Sequence, residues 1–359
     1  MTDLRLIVSA AVIAATTACA TPGPRPGPYF YTNRGYGSDA TFNPITTVLN
    51  EGFDFLQVHG RERRVLRYDY TAGLHMIGRG MAHPMRAFES DGVHYILKHE
   101  ILPIGNSGAW IPNYQLHLLG AGMVYAKTEE WYAQHGVPGA PFAAVVTMAA
   151  SHVLNEIIEQ PPPSEFNGPQ IVDLLIFDPA GVLLFQSRRV RAFMSDKLHF
   201  TNWPGMASFA PARRPNEWRV ENASQSYTFK IPLRSSRWFL FGNWGAGNLY
   251  GLTRRASDGR AISVAVGAQA GELVQPYPWS TRTTLSLNGA AGVFYDRDNS
   301  LMASVVASAS KYRGVEINIY PGALWMPQPR LGLWVHLPRA GPITGGVSLP
   351  WVPGVAWRP

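Results

Sequence analysis

The sequence predicts an α+β protein, with a mainly helical region at residues 42–215 and an antiparallel, β-barrel-like region of about eight strands at residues 216–359. Apolar residues recur at helical spacing in the first region and at every second position from about residue 226 onwards. The 359-residue chain is long enough for two such regions, and its 46% hydrophobic content excludes a disordered protein. Charged residues make up only 15%, below the roughly one quarter usual for soluble proteins, which favours a chain partly solvated by lipid.

The N-terminus has the pattern of a secretory signal peptide. Arg5 precedes an apolar stretch at residues 6–15 and a few small residues, so residues 1–18 are predicted to be a signal peptide. Cys19, the only cysteine, follows directly, and the pattern resembles the bacterial lipoprotein signal, in which this cysteine is lipidated. Cys19 is therefore the predicted lipidation site, and cleavage nearby with an incidental cysteine is the alternative. Residues 19–41, rich in Pro and Gly, are predicted to be an extended tether.

The N-terminus and the charge together predict a location and partners. We expect a lipid-anchored protein on the periplasmic side of the bacterial outer membrane, since Ala20 rather than Asp follows the lipidated cysteine. The net charge is +7, but the basic residues are scattered, with short clusters only at 61–64 and 188–191. Nucleic acid is therefore not a predicted partner. Membrane lipid or lipopolysaccharide is a predicted partner, because Arg pairs well with phosphate. The sequence identifies no protein partner.

Three apolar segments in the middle of the chain are predicted to form a helical core. The first two are helices at about 113–133 and 141–160, the second with a proline in its first turn. The third segment, 171–185, is strongly apolar and holds two carboxylates, and Pro179 is expected to kink or break a helix there.

A short pattern, L-H-x-x-G-x-G-M, occurs twice, at residues 74–81 and 116–123. The small residues after each histidine allow another backbone to approach closely. Two copies predict two equivalent helical elements. The alternative is coincidence, because the match covers only eight residues.

Polar residues within the apolar segments are the candidate functional residues. His117, Glu156 and Asp173 come one from each segment, and His152 shares a helix face with Glu156. An imidazole with carboxylates suits general acid–base catalysis or a His/carboxylate metal site. The same set suits a buried network that only stabilises the fold. The sequence predicts no metal and no cofactor, and it leaves the catalytic and the structural roles both open.

The order of these residues resembles that of a known family. His117, Glu156, Asp173 and Gly181 follow one another as in the H…E…D…G pattern of VanZ-like proteins and the related YfiM-type periplasmic lipoproteins. The resemblance covers residues 113–186. It implies a small helical bundle in which the His, Glu and Asp converge, and it implies no defined reaction.

The last third of the chain is predicted to be a run of β-hairpins. Alternating apolar residues are separated by turn sequences such as Ser257-Asp258-Gly259. Eight strands of this length suit a small transmembrane barrel, and a soluble sheet packed on the helical half is the alternative. The predicted strands are 227–233, 238–254, 261–272, 282–295, 301–310, 313–320, 330–337 and 343–349.

The function predicted from these features is that of a cell-envelope lipoprotein with a structural or lipid-interacting role and no defined catalysis. The alternative is a hydrolase or transferase that acts on a lipid or cell-wall substrate through His117 or His152, with Glu156 and Asp173 as acid or orienting groups. The sequence lacks a G-x-S-x-G elbow, H-E-x-x-H, a Walker A motif and a dinucleotide fingerprint. Whether the protein is an enzyme therefore stays open at this stage.

Overall fold

The computed structural model confirms the α+β class, with helices in the first part of the chain and one sheet in the rest. The predicted signal peptide, residues 1–18, and the predicted lipidation site, Cys19, lie outside the residues that the structure describes. Those residues are 27–57, 64–102, 110–159, 168–212, 216–234, 237–274, 284–324, 330–350 and 352–357.

The helices surround the candidate site, and several continue one another without a break. We call residues 110–134 the His117 rod and residues 168–186 the Asp178 rod. The helix bounds are α1 Gly37–Thr41, α2 Pro44–Gly52, α3 Tyr70–Ala82, α4 Pro84–Asp91, α5 Val93–Tyr95, α6 Ile96–Ile101, α7 Trp110–Ala121, α8 Gly122–Gln134, α9 Ala140–Glu159, α10 Gly168–Val172, α11 Asp173–Phe177, α12 Asp178–Gln186, α13 Arg188–Ala192 and α14 Phe193–Lys197.

The two rods touch backbone to backbone at a pair of glycines. A Cβ atom on Gly181 would lie 2.5 Å from the carbonyl oxygen of Leu118, and one on Gly122 would lie 2.6 Å from that of Gly181. Only glycine permits this approach. Gly122 is the second glycine of the repeated pattern, and Gly80, its counterpart in the other copy, packs against Ile171 of the same Asp178 rod.

Pro179 does not end the Asp178 rod, contrary to the expectation from sequence. It lies in the first turn of α12, and the helix is continuous from Gly168 to Gln186. The preceding segment α11 is a π-helix, with wider turns than an α-helix. Wider turns just before a proline relieve the clash between its ring and the preceding turn, which explains why the helix continues.

The segment predicted to be a tether at 19–41 is packed against the helices from residue 29 onwards. The backbone N–H groups of Tyr29, Phe30 and Tyr31 each donate to the Glu130 carboxylate at 2.8 Å. The three side chains are buried, and helix α1 follows them. A carboxylate that accepts three backbone hydrogen bonds fixes an otherwise extended segment against the helices. The Pro- and Gly-rich composition that predicted a tether does not reveal this contact.

A single thirteen-stranded sheet forms the second part of the protein. Its strand order is β1-β4-β5-β6-β7-β8-β9-β10-β11-β12-β13-β2-β3, and among the described residues only the β13–β2 pairing is parallel. Backbone hydrogen bonds from Trp203 to Ser226 and from Gly205 to Ser224 extend the β1–β4 pairing. The strand bounds are β1 Thr201–Asn202, β2 Ser208–Pro211, β3 Trp218–Glu221, β4 Tyr227–Pro232, β5 Trp238–Trp244, β6 Gly247–Arg255, β7 Arg260–Val274, β8 Thr284–Arg297, β9 Ser300–Ser308, β10 Val315–Ile319, β11 Gly332–Leu337, β12 Thr344–Leu349 and β13 Val352–Trp357.

The sheet differs from the predicted eight-stranded barrel. Its ladders leave β1 and β3 at the two ends and do not close into a barrel. It begins at Thr201, before the expected boundary at residue 216, because strands of two to four residues are too short to show alternation. The predicted strand 238–254 is two strands joined by a turn, and the Pro-rich end contributes a strand at Val352–Trp357.

One face of the sheet is packed and the other is exposed. Trp203, Phe241, Phe294 and Trp334 belong to one buried core cluster. On the opposite face, exposed aliphatic side chains stand in directly paired positions across five neighbouring strands. We call this set the apolar row: Leu240, Leu252, Val264, Val293 and Val305, each 44–55% exposed.

Candidate functional site

His117, the first candidate residue, is oriented by a carboxylate on the neighbouring rod. The glycine contact between the rods brings α7 beside α12, and His117 Nδ1 lies 3.0 Å from Asp178 Oδ1. Because Asp178 is a carboxylate, Nδ1–H donates this hydrogen bond. The other ring nitrogen, Nε2, therefore points away from Asp178, where it can exchange a proton or, once deprotonated, bind a ligand.

Asp178 orients a second imidazole in the same way. Its Oδ2 atom lies 2.8 Å from His152 Nδ1, and the two histidine rings are perpendicular with centroids 5.1 Å apart. The Nε2 atom of His152 then faces Glu51, with Oε2 at 3.9 Å. A single buried carboxylate thus fixes both rings.

The structure brings the three predicted residues together. His117 Nε2 lies 3.9 Å from Glu156 Oε1 and 3.8 Å from Asp173 Oδ2. These distances are longer than a hydrogen bond, for which N–H···O separations are about 2.7–3.2 Å. His117 and Asp173 both lie in π-helical turns, which are rare and frequent at functional sites. His117 Nε2 thus has one carboxylate oxygen from each of two other helical segments within 4 Å.

Two carboxylate oxygens of these residues, Glu156 Oε1 and Asp173 Oδ1, are buried and accept no hydrogen bond from the described residues. Glu156 Oε1 is the oxygen that faces His117, whereas Asp173 faces it with its other oxygen, Oδ2. Buried polar atoms are nearly always paired, so an unpaired carboxylate oxygen calls for an explanation. The site is not sealed, because the side chains of His117 and Asp173 are 13% and 12% exposed, whereas Glu156 is 2% exposed.

The pKa values reflect crowding of acidic groups around two imidazoles. Burial raises the pKa of Asp173 to about 7, against the opposing charge of His117. Burial also raises the pKa of Glu156 well above its usual value. Burial lowers the pKa of His117, but the charges of Asp173 and Asp178 outweigh it and hold the value well above normal. For Asp178 burial is outweighed by His152 and His117, which lower its pKa to about 2.

A layer of hydrogen bonds supports the site from the sheet side. Glu51, on α2, accepts from the Ser151 hydroxyl at 2.7 Å and from Gln225 Nε2 at 2.6 Å. The Tyr227 hydroxyl donates to the same carboxylate at 3.3 Å. Glu51 thus ties helix α9, which carries His152 and Glu156, to the start of β4.

Sequence reasoning missed Asp178 and Glu51 as site residues. Asp178 was visible as the second carboxylate of an apolar segment, which is the available signal for it. Glu51 lies in a short amphipathic helix far from the others in sequence and has no such signal. The sequence also predicted no metal. The structure places two sets of possible ligand atoms within 4.8 Å of one another: His117, His152 and Asp178, and His117, Glu156 and Asp173.

Two helices, Ala140–Glu159 and Gly168–Gln186, are long and apolar enough to cross a membrane by length and composition. Their most apolar windows are 44% and 61% buried within the protein, and both carry site residues. Core helices pass the same test, so we describe them as the core of the helical region.

Comparison with protein families, with curated proteins and with solved structures finds no match to this chain. Inferences about function therefore rest on the site and the surfaces themselves.

Proposed function

We propose that this chain is a membrane-associated cell-envelope hydrolase or transferase, with its reaction centre at His117, Glu156 and Asp173. The observation that carries the proposal is the convergence of His117 Nε2, Glu156 Oε1 and Asp173 Oδ2, from three helical segments, beside unpaired buried oxygens. Fold stability alone gives no reason to bury carboxylates without partners.

The trio suits transfer of a proton during attack by water or a hydroxyl group. The attacking oxygen gives its proton to the trio as it forms a bond to the substrate. The proton then passes to the leaving oxygen as the bond between that oxygen and the substrate breaks. Since His117 and Asp173 are the partly exposed members, a substrate approaches from their side.

Of the two substrate classes, a lipid is favoured by the apolar surface of the helices that pack around the site. Helices α3 and α4, which pack against α9 and the Asp178 rod, expose Leu74 and Met85, and α6, packed against the His117 rod, exposes Leu97. Exposed apolar side chains in this number mark a surface that meets lipid or another apolar ligand. The predicted lipidation at Cys19 would place that surface at a membrane.

The test is turnover by the purified full chain on two substrates, phosphatidylethanolamine/phosphatidylglycerol vesicles and peptidoglycan sacculi, with released products identified by mass spectrometry. We expect product from one of them, and a loss of about 100-fold or more in His117→Gln. His75→Gln is the matched control, since His75 holds the same place in the other copy of the repeated pattern but is exposed on α3. No product from either substrate, or full activity in His117→Gln, would refute the proposal.

A second function, lipid contact through the sheet, is favoured by the apolar row. Its five side chains are paired across strands and about 4.8 Å apart from one strand to the next, so they form a continuous band about 19 Å wide. A water-facing sheet normally alternates to polar residues on its outer face. We infer that this face lies against membrane lipid.

Vesicle flotation of the Cys19→Ala chain tests the sheet contact without the lipid anchor. Val264→Lys places a charge in the middle of the apolar row, and we expect at least a tenfold loss of floated protein, since a lipid-facing charge costs about 2–4 kcal/mol. Ser257→Lys adds the same charge in the exposed β6–β7 turn and is the control. Equal flotation of the two variants would show that the row does not contact lipid.

A further inference from the structure

The reaction centre proposed above has the geometry of a metal site, and this inference rests on that proposed function. His117 Nε2 lies 3.9 Å from Glu156 Oε1 and 3.8 Å from Asp173 Oδ2, and each of the three residues offers one ligand atom within 4.8 Å of those of the other two. Two atoms at such a distance can share an ion, because two metal–ligand bonds of about 2.1 Å span up to about 4.2 Å. If each carboxylate oxygen moved about 0.4 Å closer to His117 Nε2, the ligand atoms would be about 3.4 Å apart, which is the spacing between ligands of a tetrahedral ion.

A carboxylate behind the histidine is the second feature of a metal site. Asp178 accepts the Nδ1–H of His117 at 3.0 Å, which fixes the tautomer and aims the Nε2 lone pair at Glu156 and Asp173. Histidine ligands of metals almost always have such a partner on their other ring nitrogen. Asp178 is itself fixed by His152 at 2.8 Å. The histidine is thus held in position by buried groups.

The buried carboxylate oxygens are the third and independent feature. Glu156 is buried, and among the described residues its Oε1 atom has no hydrogen-bond partner although it faces His117 Nε2. The cluster of Glu51, Glu156, Asp173 and Asp178 sets four carboxyl groups against two imidazoles. A dication would supply the positive charge and the ligand bond that Glu156 Oε1 does not receive from the described residues.

We propose that His117, Glu156 and Asp173 bind a divalent transition-metal ion of the zinc type, with Asp178 as the residue that positions His117. One imidazole nitrogen and two carboxylate oxygens suit zinc and its neighbours, whereas calcium and magnesium prefer oxygen ligands alone. Three protein ligands with one side partly exposed leave a position for water, which is the arrangement of catalytic rather than structural zinc. The ion would supply the proposed hydrolysis with an activated water.

The test is metal binding by the full chain after treatment with a chelator. Calorimetry with Zn²⁺ and visible absorption with Co²⁺ should each show one equivalent bound. Glu156→Gln and Asp173→Asn should weaken binding by about 100-fold or more, and Asp178→Asn by about 10–100-fold. His75→Gln should leave binding unchanged, because that side chain is exposed on α3.

X-ray absorption of the Zn²⁺-loaded wild-type chain gives a readout that needs no variant to fold. One histidine among oxygen ligands is expected, and two or more histidines would overturn the assignment. Absence of stoichiometric binding, or equal affinity in wild type and Glu156→Gln, would overturn it as well. If the chain binds the metal but converts neither vesicles nor sacculi, the metal site stands and the proposed hydrolysis fails. If the chain turns over substrate without binding metal, the hydrolysis stands and the metal site fails.

Discussion

Two buried charge clusters in this protein are built on different rules. At the junction of helices and sheet, Lys127 donates to Asp39 Oδ1 at 3.1 Å and to Asn202 Oδ1 at 3.0 Å, and Thr32 donates to Asp39 Oδ2 at 2.8 Å. Arg34 lies 3.5 Å from the same Oδ2 atom, so the cations outnumber the anion and both carboxylate oxygens are used. Around Asp178, in contrast, four carboxyl groups face two imidazoles, and Glu156 Oε1 has no hydrogen-bond partner among the described residues.

The difference separates a structural pair from a candidate site. Burying a charge costs free energy unless partners replace the lost water. The Lys127–Asp39 pair has those partners within the chain, so its role is complete in the folded protein. The Asp178 cluster lacks them, so its carboxylates need protons or an ion from outside. A comparison of stability changes at the two places measures this distinction.

The largest effect is expected at the complete pair. Lys127→Met should destabilise the protein by about 3–5 kcal/mol, because it removes the buried cation of the Asp39 carboxylate and leaves it only the more distant, partly exposed Arg34. The measurement is equilibrium unfolding in urea, followed by circular dichroism. Lys197→Met removes an exposed lysine on α14 and should change stability by less than about 0.5 kcal/mol. If both variants behave alike, the pair is not what stabilises this junction.

An intermediate effect is expected where the rods cross. Gly181→Ala should cost about 1–3 kcal/mol, since the added methyl would meet the Leu118 carbonyl oxygen at 2.5 Å and backbone atoms cannot rotate away. The strain should also separate His117 from Asp178 and weaken metal binding. The matched control is Gly78→Ala, whose methyl would meet nothing within 4 Å and should stabilise helix α3 by about 0.5–1 kcal/mol. Equal stability of the two variants would contradict the close crossing.

Much of the helical region could be predicted from the sequence because its signals are local. Helical spacing of apolar residues located α9 and both rods to within a few residues, and polar residues in those apolar segments identified His117, Glu156 and Asp173. Such residues need partners in a core, so their convergence followed from burial. Their catalytic role is not a local property, and it stays a proposal.

The rest depended on contacts between distant segments. Asp178 is identified as the bridge between two histidines only when the rods cross at Gly122 and Gly181, and the sequence does not give the crossing point. The packing of Tyr29 depends on the distant Glu130 carboxylate. Strands β1–β3 are too short for alternation to be detected, which is why the sheet begins earlier than expected. The split of the strand predicted at 238–254 and the strand Val352–Trp357 account for the other additional strands.

The smallest effect, and the one of opposite sign, is expected within the Asp178 cluster. Asp173→Asn should stabilise the chelator-treated protein at pH 8 by about 1.4 kcal/mol, the free energy of one pKa unit. Burial raises the pKa of Asp173 to about 7. The charge of His117 opposes this rise, and the negative charges of Asp178 and Glu159 add to it. A raised carboxyl pKa means that the folded state holds the proton longer than the unfolded state does. Stability conferred by the neutral acid is therefore present at low pH and is lost as the pH rises from about 4 to about 7.

Urea unfolding between pH 4 and 8 checks this sign, with Glu89→Gln, an exposed carboxylate on α4, as the control. Asp173→Asn should lack the fall in stability that the wild type shows over that pH range, whereas Glu89→Gln should keep it. Saturating Zn²⁺ should then make the wild type more stable than Asp173→Asn. The bound ion would pair with the buried Asp173 carboxylate, and it stabilises only the folded state that holds it. A variant that is less stable than wild type without metal at pH 8 would mean that Asp173 already has its partners within the chain. The Asp178 cluster would then follow the same rule as the Lys127–Asp39 pair.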